Sequence, residues 1–318
     1  MFRTDKVIFL FLIFLPPLLI FSGCVRKNAA LDEKQQAQTL PGLPKLTVAV
    51  SILPQQWFVS GIGAGLVQAM VLAGPGQNVH NYEPTPKQIN TLVSTRVWIL
   101  SGAEFEISLL PKIKKLFPEL PVVDGTEGVV FRNLEEYGHK HKHGETGFPH
   151  DIDRHTWLGR EPAKILAAHI RDILSGLDPE NSGFYSENYA VLVKEIDNEF
   201  DNLRNELAPL KGKNIFVYHP SFGYFLDEFG IRQRAVETGG KSPGPRDLNR
   251  LIAQAKQEQA AVIFVQAQFP ANAAKTVADA VGARLIGFDP LDPDWLANIR
   301  RMGQALKAAI PDMHDQLR

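Results

Sequence analysis

From Leu46 onward the apolar positions switch repeatedly between two periods. "LTVAVSIL" is a short β-branched run, "QQWFVSGIG" has helical spacing, and "LVQAMVLAGPG" returns to a strand that ends in turn residues. In "EPTPKQINTLVS", Thr85 can cap a helix, Pro86 takes its first position, and Ile89, Leu92 and Val93 share one face. "RVWILSG" and "LPVVDGT" predict two further strands, on either side of the partly helical "EFEISLLPKIKKLF". Strand and helix alternating in this way predict a parallel sheet covered by helices on both faces.

The same alternation starts again independently with "NIFVYH", "SFGYFLDEFG", "IRQRAVE", "RDLNRLIAQAKQEQ", "AAVIFVQ", "NAAKTVADAVG", "RLIGFDP" and "DWLANIRRMGQALKAAI". Two α/β lobes follow from it. Between them, Tyr189, Leu192, Val193, Ile196, Phe200, Leu203 and Leu207 form a helical stripe flanked by charge. Ser186 with Asn188 can start this helix, and Pro209 or Gly212 stops it. At about 25 residues and 1.5 Å per residue it measures roughly 37 Å, enough to join two lobes rigidly. The expected fold is therefore α/β, two lobes with mainly parallel sheets flanked by helices and joined by one long helix. No internal repeat is visible.

The N-terminus is built differently. "MFRTDKVIFLFLIFLPPLLIFSGC" has basic Arg3 and Lys6, an uncharged apolar run from Val7 to Phe21, then Ser22, Gly23 and Cys24, the single cysteine of the chain. This is the pattern of a secretory signal, and "FSGC" resembles a bacterial lipobox whose cysteine becomes lipidated. An uncleaved membrane anchor is the alternative, although Pro16 and Pro17 interrupt the run. Both readings place the body of the protein outside the cytoplasm, without disulfides. The expected organisation is a signal peptide at 1–23, a lipidated tether at 24–44, an N-terminal lobe at 45–182 with a histidine-rich loop at 138–150, a connecting helix at 183–210, and a C-terminal lobe at 211–318.

Composition narrows the functional classes. Apolar residues make up 44 % and charged residues 22 %, as in a soluble globular protein. A formal charge of -1 offers no attraction to a polyanion, so nucleic acid is excluded as a partner. No GxxxxGK[ST] phosphate loop and no later apolar run of membrane length occur, so any ATPase or channel is a separate protein.

Ligands of open α/β sheets bind beyond the carboxyl ends of strands. His80 lies in the loop "AGPGQNVHNYEP" after a predicted strand, His219 follows "NIFVY", and Asp289 follows "RLIGF". His155, in "DRHTWLG", is a fourth loop residue able to point inward. Three imidazoles and one carboxylate suit four-coordinate Zn²⁺, with Mn²⁺ as the alternative and Ca²⁺ or Mg²⁺ disfavoured. Each residue also has an ordinary use; Asp289 could simply cap a turn. His169 and His314 are assigned to no site.

These residues carry a family resemblance. "PGQNVHNYEPTPKQINTL", "DRHTWLGREPAKILA", "VYHPSFGYFLDEFGI" and "GFDPL", in this order, resemble the four ligand loops of the cluster A-I metal-binding lipoproteins, the solute-binding components of zinc and manganese ABC transporters. "GGKSPGPRDLNRLI" resembles a further family segment. The resemblance implies metal ligation by His80, His155, His219 and Asp289, and His219 at the third position implies zinc over manganese. It also implies an ABC permease with its separate ATPase as partners, and lipid at Cys24 holding a monomer to the outer side of a bacterial membrane.

Two departures stand out. Arg154 replaces the usual proline before the second histidine, with Gly159 following Trp-Leu, and Gln266 and Gln268 stand where many members carry glutamate. The stretch Gly138–Gly159 holds five of the nine histidines. Of these His139, His141, His143 and His150 are expected to form an accessory metal loop, or a solvated loop binding metal only adventitiously. A zinc hydrolase using Glu83 as base, and an adhesin on the same scaffold, are the competing readings; no HExxH helix is present for the former.

Overall fold

The computed structural model describes residues 46–134, 152–235, 244–258, 260, 262–266 and 272–315. The expected signal peptide, Cys24 and the tether, His139, His141, His143 and His150, and Gln268 all lie outside the described residues. The chain from Leu40 to Arg318 forms one compact unit.

In the N-terminal lobe, β1 (Leu46–Ile52) leads into α1 (Leu53–Gly63), then β2 (Val67–Ala73), α2 (Pro86–Leu92), β3 (Trp98–Leu100), α3 (Glu104–Leu116) and β4 (Val122–Asp124). The strands pair in parallel in the order β2-β1-β3-β4. Val48, Ala49, Val50 and Ile52 are fully buried, as apolar strand residues covered on both faces should be. Order reverses between β1 and β3, and there Gln55 ties the two strand ends together. Its Oε1 accepts from the backbone N–H groups of Ser51 (2.8 Å) and Ile52 (3.1 Å), and its Nε2 donates to the carbonyls of Ile99 (3.2 Å) and Leu100 (3.1 Å). Thr85 caps α2 as expected, accepting from Gln88 N at 3.3 Å with Pro86 at the first turn.

The chain passes through α4 (Arg160–Leu177) into α5 (Ser182–Glu206), the 25-residue connecting helix. It opens a turn earlier than the Ser186 start expected from capping residues. Asp178 explains this by gathering Asn181 Nδ2 (2.8 Å) and the Tyr185 hydroxyl (2.7 Å), so the burial of Tyr185 organises the first turn instead of a side-chain cap.

The second lobe contains β5 (Asn214–Val217), α6 (Gly223–Asp227), β6 (Arg232–Ala235), α7 (Pro245–Gln257), β7 (Val262–Gln266), α8 (Asn272–Val281), β8 (Arg284–Phe288) and α9 (Trp295–Asp315). Its parallel order, β6-β5-β7-β8, repeats the topology of the first sheet, a likeness the sequence does not carry.

The two lobes share one apolar core. Trp295 at the start of α9 sits 5.0 Å, ring centre to ring centre, from Phe58 of α1 and 6.4 Å from Phe200 of α5. Phe58, Ile196, Phe200 and Trp295 are all buried in the same cluster. Each large apolar side chain removed from water is worth about 1.5–3 kcal/mol, so opening the lobes at this contact would cost several such contributions. Among the described residues no helix is long and apolar enough to cross a membrane.

Candidate functional site

His80 stands in the loop between β2 and α2. Tyr82 pins this loop by donating to the Leu72 carbonyl at 2.6 Å, and Asn78 Oδ1 accepts from His80 N at 3.0 Å. The imidazole is oriented by Glu104 at the start of α3, whose Oε2 lies 3.1 Å from His80 Nδ1. Burial pushes the Glu104 carboxyl up, but the His80 hydrogen bond and the charges of His80 and His155 outweigh it and hold the group at about 2.

His155 precedes a short 3₁₀ turn, Thr156–Leu158. Buried Asp153 fixes it twice, with Oδ1 3.0 Å from the His155 backbone nitrogen and 2.8 Å from Nδ1. Burial raises the Asp153 carboxyl, and the His155 and Arg132 contacts more than reverse that, leaving it below the usual range. A carboxylate at Nδ1 of both imidazoles fixes the tautomer in which Nε2 carries the ligating lone pair, the arrangement metal-binding histidines favour.

His219 follows the end of β5 after one intervening residue, and Gln266 at the end of β7 holds its backbone. Gln266 Oε1 accepts from His219 N at 3.2 Å, while Nε2 donates to the His219 carbonyl and Ser221 Oγ, each at 2.7 Å. His80, His155 and His219 each offer a ring nitrogen, all within 4.8 Å of one another. The Nε2 atoms of His155 and His219 are 3.3 Å apart. Two nitrogens at ~2.05 Å from a tetrahedral Zn²⁺ would stand about 3.3 Å from each other, so this pair has the separation the ion requires.

The trio lines a small cleft with Trp157, Pro290 and Leu291. Trp157, which lines the cleft, donates from Nε1 to the Pro290 carbonyl at 2.7 Å, and Trp295 Nε1 donates to the Trp157 carbonyl at 2.7 Å, so the two indoles link the lobes there. Asp289 follows β8 and adjoins Pro290 and Leu291 of this cleft, outside the set of three whose ring nitrogens all lie within 4.8 Å of one another. Its Oδ1 accepts from Leu291 N at 2.8 Å and its carbonyl accepts from Asn298 Nδ2 at 2.6 Å, which is turn-capping geometry.

Arg154 is directed at the Gly102 carbonyl, 3.3 Å from Nη1. His169 lies away from the site, bonded through Nε2 to the Glu127 carbonyl at 2.9 Å. Glu83 is exposed and does not line the cleft. The orienting carboxylates Glu104 and Asp153 were not singled out from the sequence; the one local signal is the D-x-H spacing in "DRH".

Two α/β lobes sharing a core along one long helix, with imidazoles converging at their strand ends, define a two-lobed solute-binding protein of the metal-receptor class. The chain belongs to the ZnuA family, described as zinc-uptake complex component A periplasmic, whose family model matches residues 48–309. That family is one of transport binding proteins and not of enzymes. The zinc-binding lipoprotein AdcA of Streptococcus pneumoniae R6 is 24% identical over 280 residues, covering 86% of this chain, which spans 55% of AdcA. The high-affinity zinc uptake system protein ZnuA of Yersinia pestis is 26% identical over 296 residues, covering 84% of this chain and 91% of its own length. A crystal structure of ZnuA superposes with a TM-score of 0.76 at 30% identity, covering 84% of this chain and all of the other.

Proposed function

We propose that this protein is an extracytoplasmic receptor that captures Zn²⁺ between its lobes and hands it to an ABC permease for import, powered by a separate ATPase. The convergence of His80, His155 and His219 on one point carries the reading. Nitrogen-rich ligation favours zinc over manganese, and the names of the relatives agree with it. Asp289 supplies the fourth ligand once the ion is present, since its loop already forms a wall of the cleft through Pro290 and Leu291. A fourth protein ligand closes the coordination shell, as in a holding site rather than a catalytic one.

The shared core around Trp295 and the continuous α5 oppose a wide hinge, so release proceeds by small movements of the ligand loops. Cys24 carries the lipid that tethers the monomer to its membrane. His139, His141, His143 and His150 serve as a weak accessory site that feeds the main one. The test is zinc titration against a chromophoric chelator for the metal-stripped wild type, His219→Ala and Asp289→Ala. Loss of tight binding in His219→Ala with weakening in Asp289→Ala supports the four-ligand receptor, and wild-type affinity in His219→Ala removes it.

A further inference from the structure

Behind His155 a chain of charged groups runs across to the other lobe. Arg132 and Asp153 stand on two adjacent stretches of backbone, joined by the antiparallel bridge of Asn133 with Ile152 and by Asp153 N donating to the Arg132 carbonyl at 2.9 Å. Arg132 Nη1 lies 2.6 Å from Asp153 Oδ2, the oxygen not used by His155. Arg132 Nε reaches Asp227 Oδ2 at 2.8 Å, at the end of α6 in the C-terminal lobe. The line Asp227, Arg132, Asp153, His155 is therefore continuous from one lobe to an imidazole held by the other.

Two neighbours show that this junction is fitted and not incidental. The Tyr224 hydroxyl of α6 donates to the Asp153 carbonyl at 3.0 Å and accepts from Arg132 N at 3.1 Å. Gly223 begins α6 against the same pair, and a Cβ there would lie 1.6 Å from Arg132 Nη1 and 2.8 Å from Asp153 Oδ2. Any larger residue at position 223 would have to displace the guanidinium or the Asp153 carboxylate from this seat. The Asp153 side chain is 0% exposed and that of Arg132 14%, so bulk water does not replace the contact between them, whereas Asp227 is half exposed. A planar guanidinium spans two carboxylates at once, which an ammonium cannot do in fixed geometry.

We infer that Arg132 is a positioning residue that ties the orientation of the His155 imidazole to the seating of α6, so that retention of the metal and closure of the lobes are coupled. Separation of α6 draws Asp227 and Tyr224 away from Arg132, Asp153 loses its fixed partner, and the imidazole loses its aim. This rests on His155 being a zinc ligand.

The experiment measures zinc affinity by chelator competition and zinc release by stopped-flow chelator chase on the full chain, with unfolding of the metal-free forms followed in parallel. Arg132→Met is expected to weaken binding about tenfold, the lower end for residues that hold a metal ligand in place, mainly through faster release. Arg132→Lys should recover only part of this. Asp227→Asn leaves Asp153 and His155 intact, lies on the surface, and should speed release by a smaller factor without moving the unfolding midpoint. Wild-type release in both Arg132→Met and Asp227→Asn, while His155→Ala abolishes tight binding, would overturn the coupling and leave the receptor reading in place. Zinc binding unchanged in His155→Ala would instead remove the reading on which the coupling rests. A lowered unfolding midpoint in Arg132→Met with normal release would reduce Arg132 to a structural ion pair and also overturn the inference.

Discussion

Replacing Trp295 by phenylalanine probes the contact that joins the lobes beneath the site. The indole Nε1 donates to the Trp157 carbonyl at 2.7 Å, and both tryptophans are almost fully buried. Phenylalanine cannot donate, so the carbonyl is left without that partner, at a cost of about 1–3 kcal/mol. The missing part of the indole leaves a void; at ~24 cal/mol per Å³, some 40 Å³ of unrelaxed space adds about 1 kcal/mol. Loss of ring contact with Phe58, now 5.0 Å away, acts in the same direction. Together these predict a loss of about 2–4 kcal/mol in the metal-free protein. Denaturant unfolding should show the midpoint falling at an unchanged slope, since the exposed surface of the unfolded chain is the same. A change below about 0.5 kcal/mol, within the range of ordinary surface substitutions, would refute the claim that the lobes share a core at Trp295.

Glu106 gives a pH prediction: burial raises its carboxyl from 4.5 to about 7 although Ser101 N, Ser101 Oγ and Gly102 N all donate to it. The folded state then holds a proton that the unfolded state has released across that window, so stability falls by about 3 kcal/mol as pH rises from 4.5 to about 7. Glu106→Gln should flatten this slope in the metal-free protein, and an identical slope in both would contradict the assignment. Gln266→Glu turns the two donations of Nε2, to the His219 carbonyl and Ser221, into carboxylate contacts. It should cost about 1–3 kcal/mol by denaturant unfolding at pH 8, and no loss would mean that Gln266 does not hold the His219 backbone. Deleting residues 139–150 should leave tight zinc binding in place while removing only weaker equivalents in a titration; disappearance of the tight site would transfer it to the loop.

Much of this arrangement is legible in the chain because its signals are local. The runs "VAV" from Val48 and "VIF" from Val262 are buried on both faces, so they read as strands of parallel sheets, and Thr85-Pro86 marks a helix start that needs no tertiary information. His80 and His219 are legible because the strand-end rule converts sequence position into spatial convergence, and His155 because it stands in a loop from which it can point inward. What escaped is what depends on the packing of distant segments. Glu104 reads as an ordinary acid in the first turn of α3, and nothing in the pattern says that it faces the loop carrying His80. The same holds for Arg132, whose partners come from Asp153 and from the other lobe, and for the two indoles that cross between lobes. Asp289 was selected by position, and both the ligand and the turn-cap reading fitted the sequence; its Oδ1 bond to Leu291 N displays the latter geometry.

The most direct measurement is a competition titration of Zn²⁺ and Mn²⁺ on the metal-stripped protein, wild type beside His219→Ala. The imidazole trio predicts one tight equivalent that prefers zinc in the wild type and is lost in the variant. A tight site that survives in His219→Ala, or one that takes manganese in preference to zinc, would contradict a zinc receptor built on His80, His155 and His219.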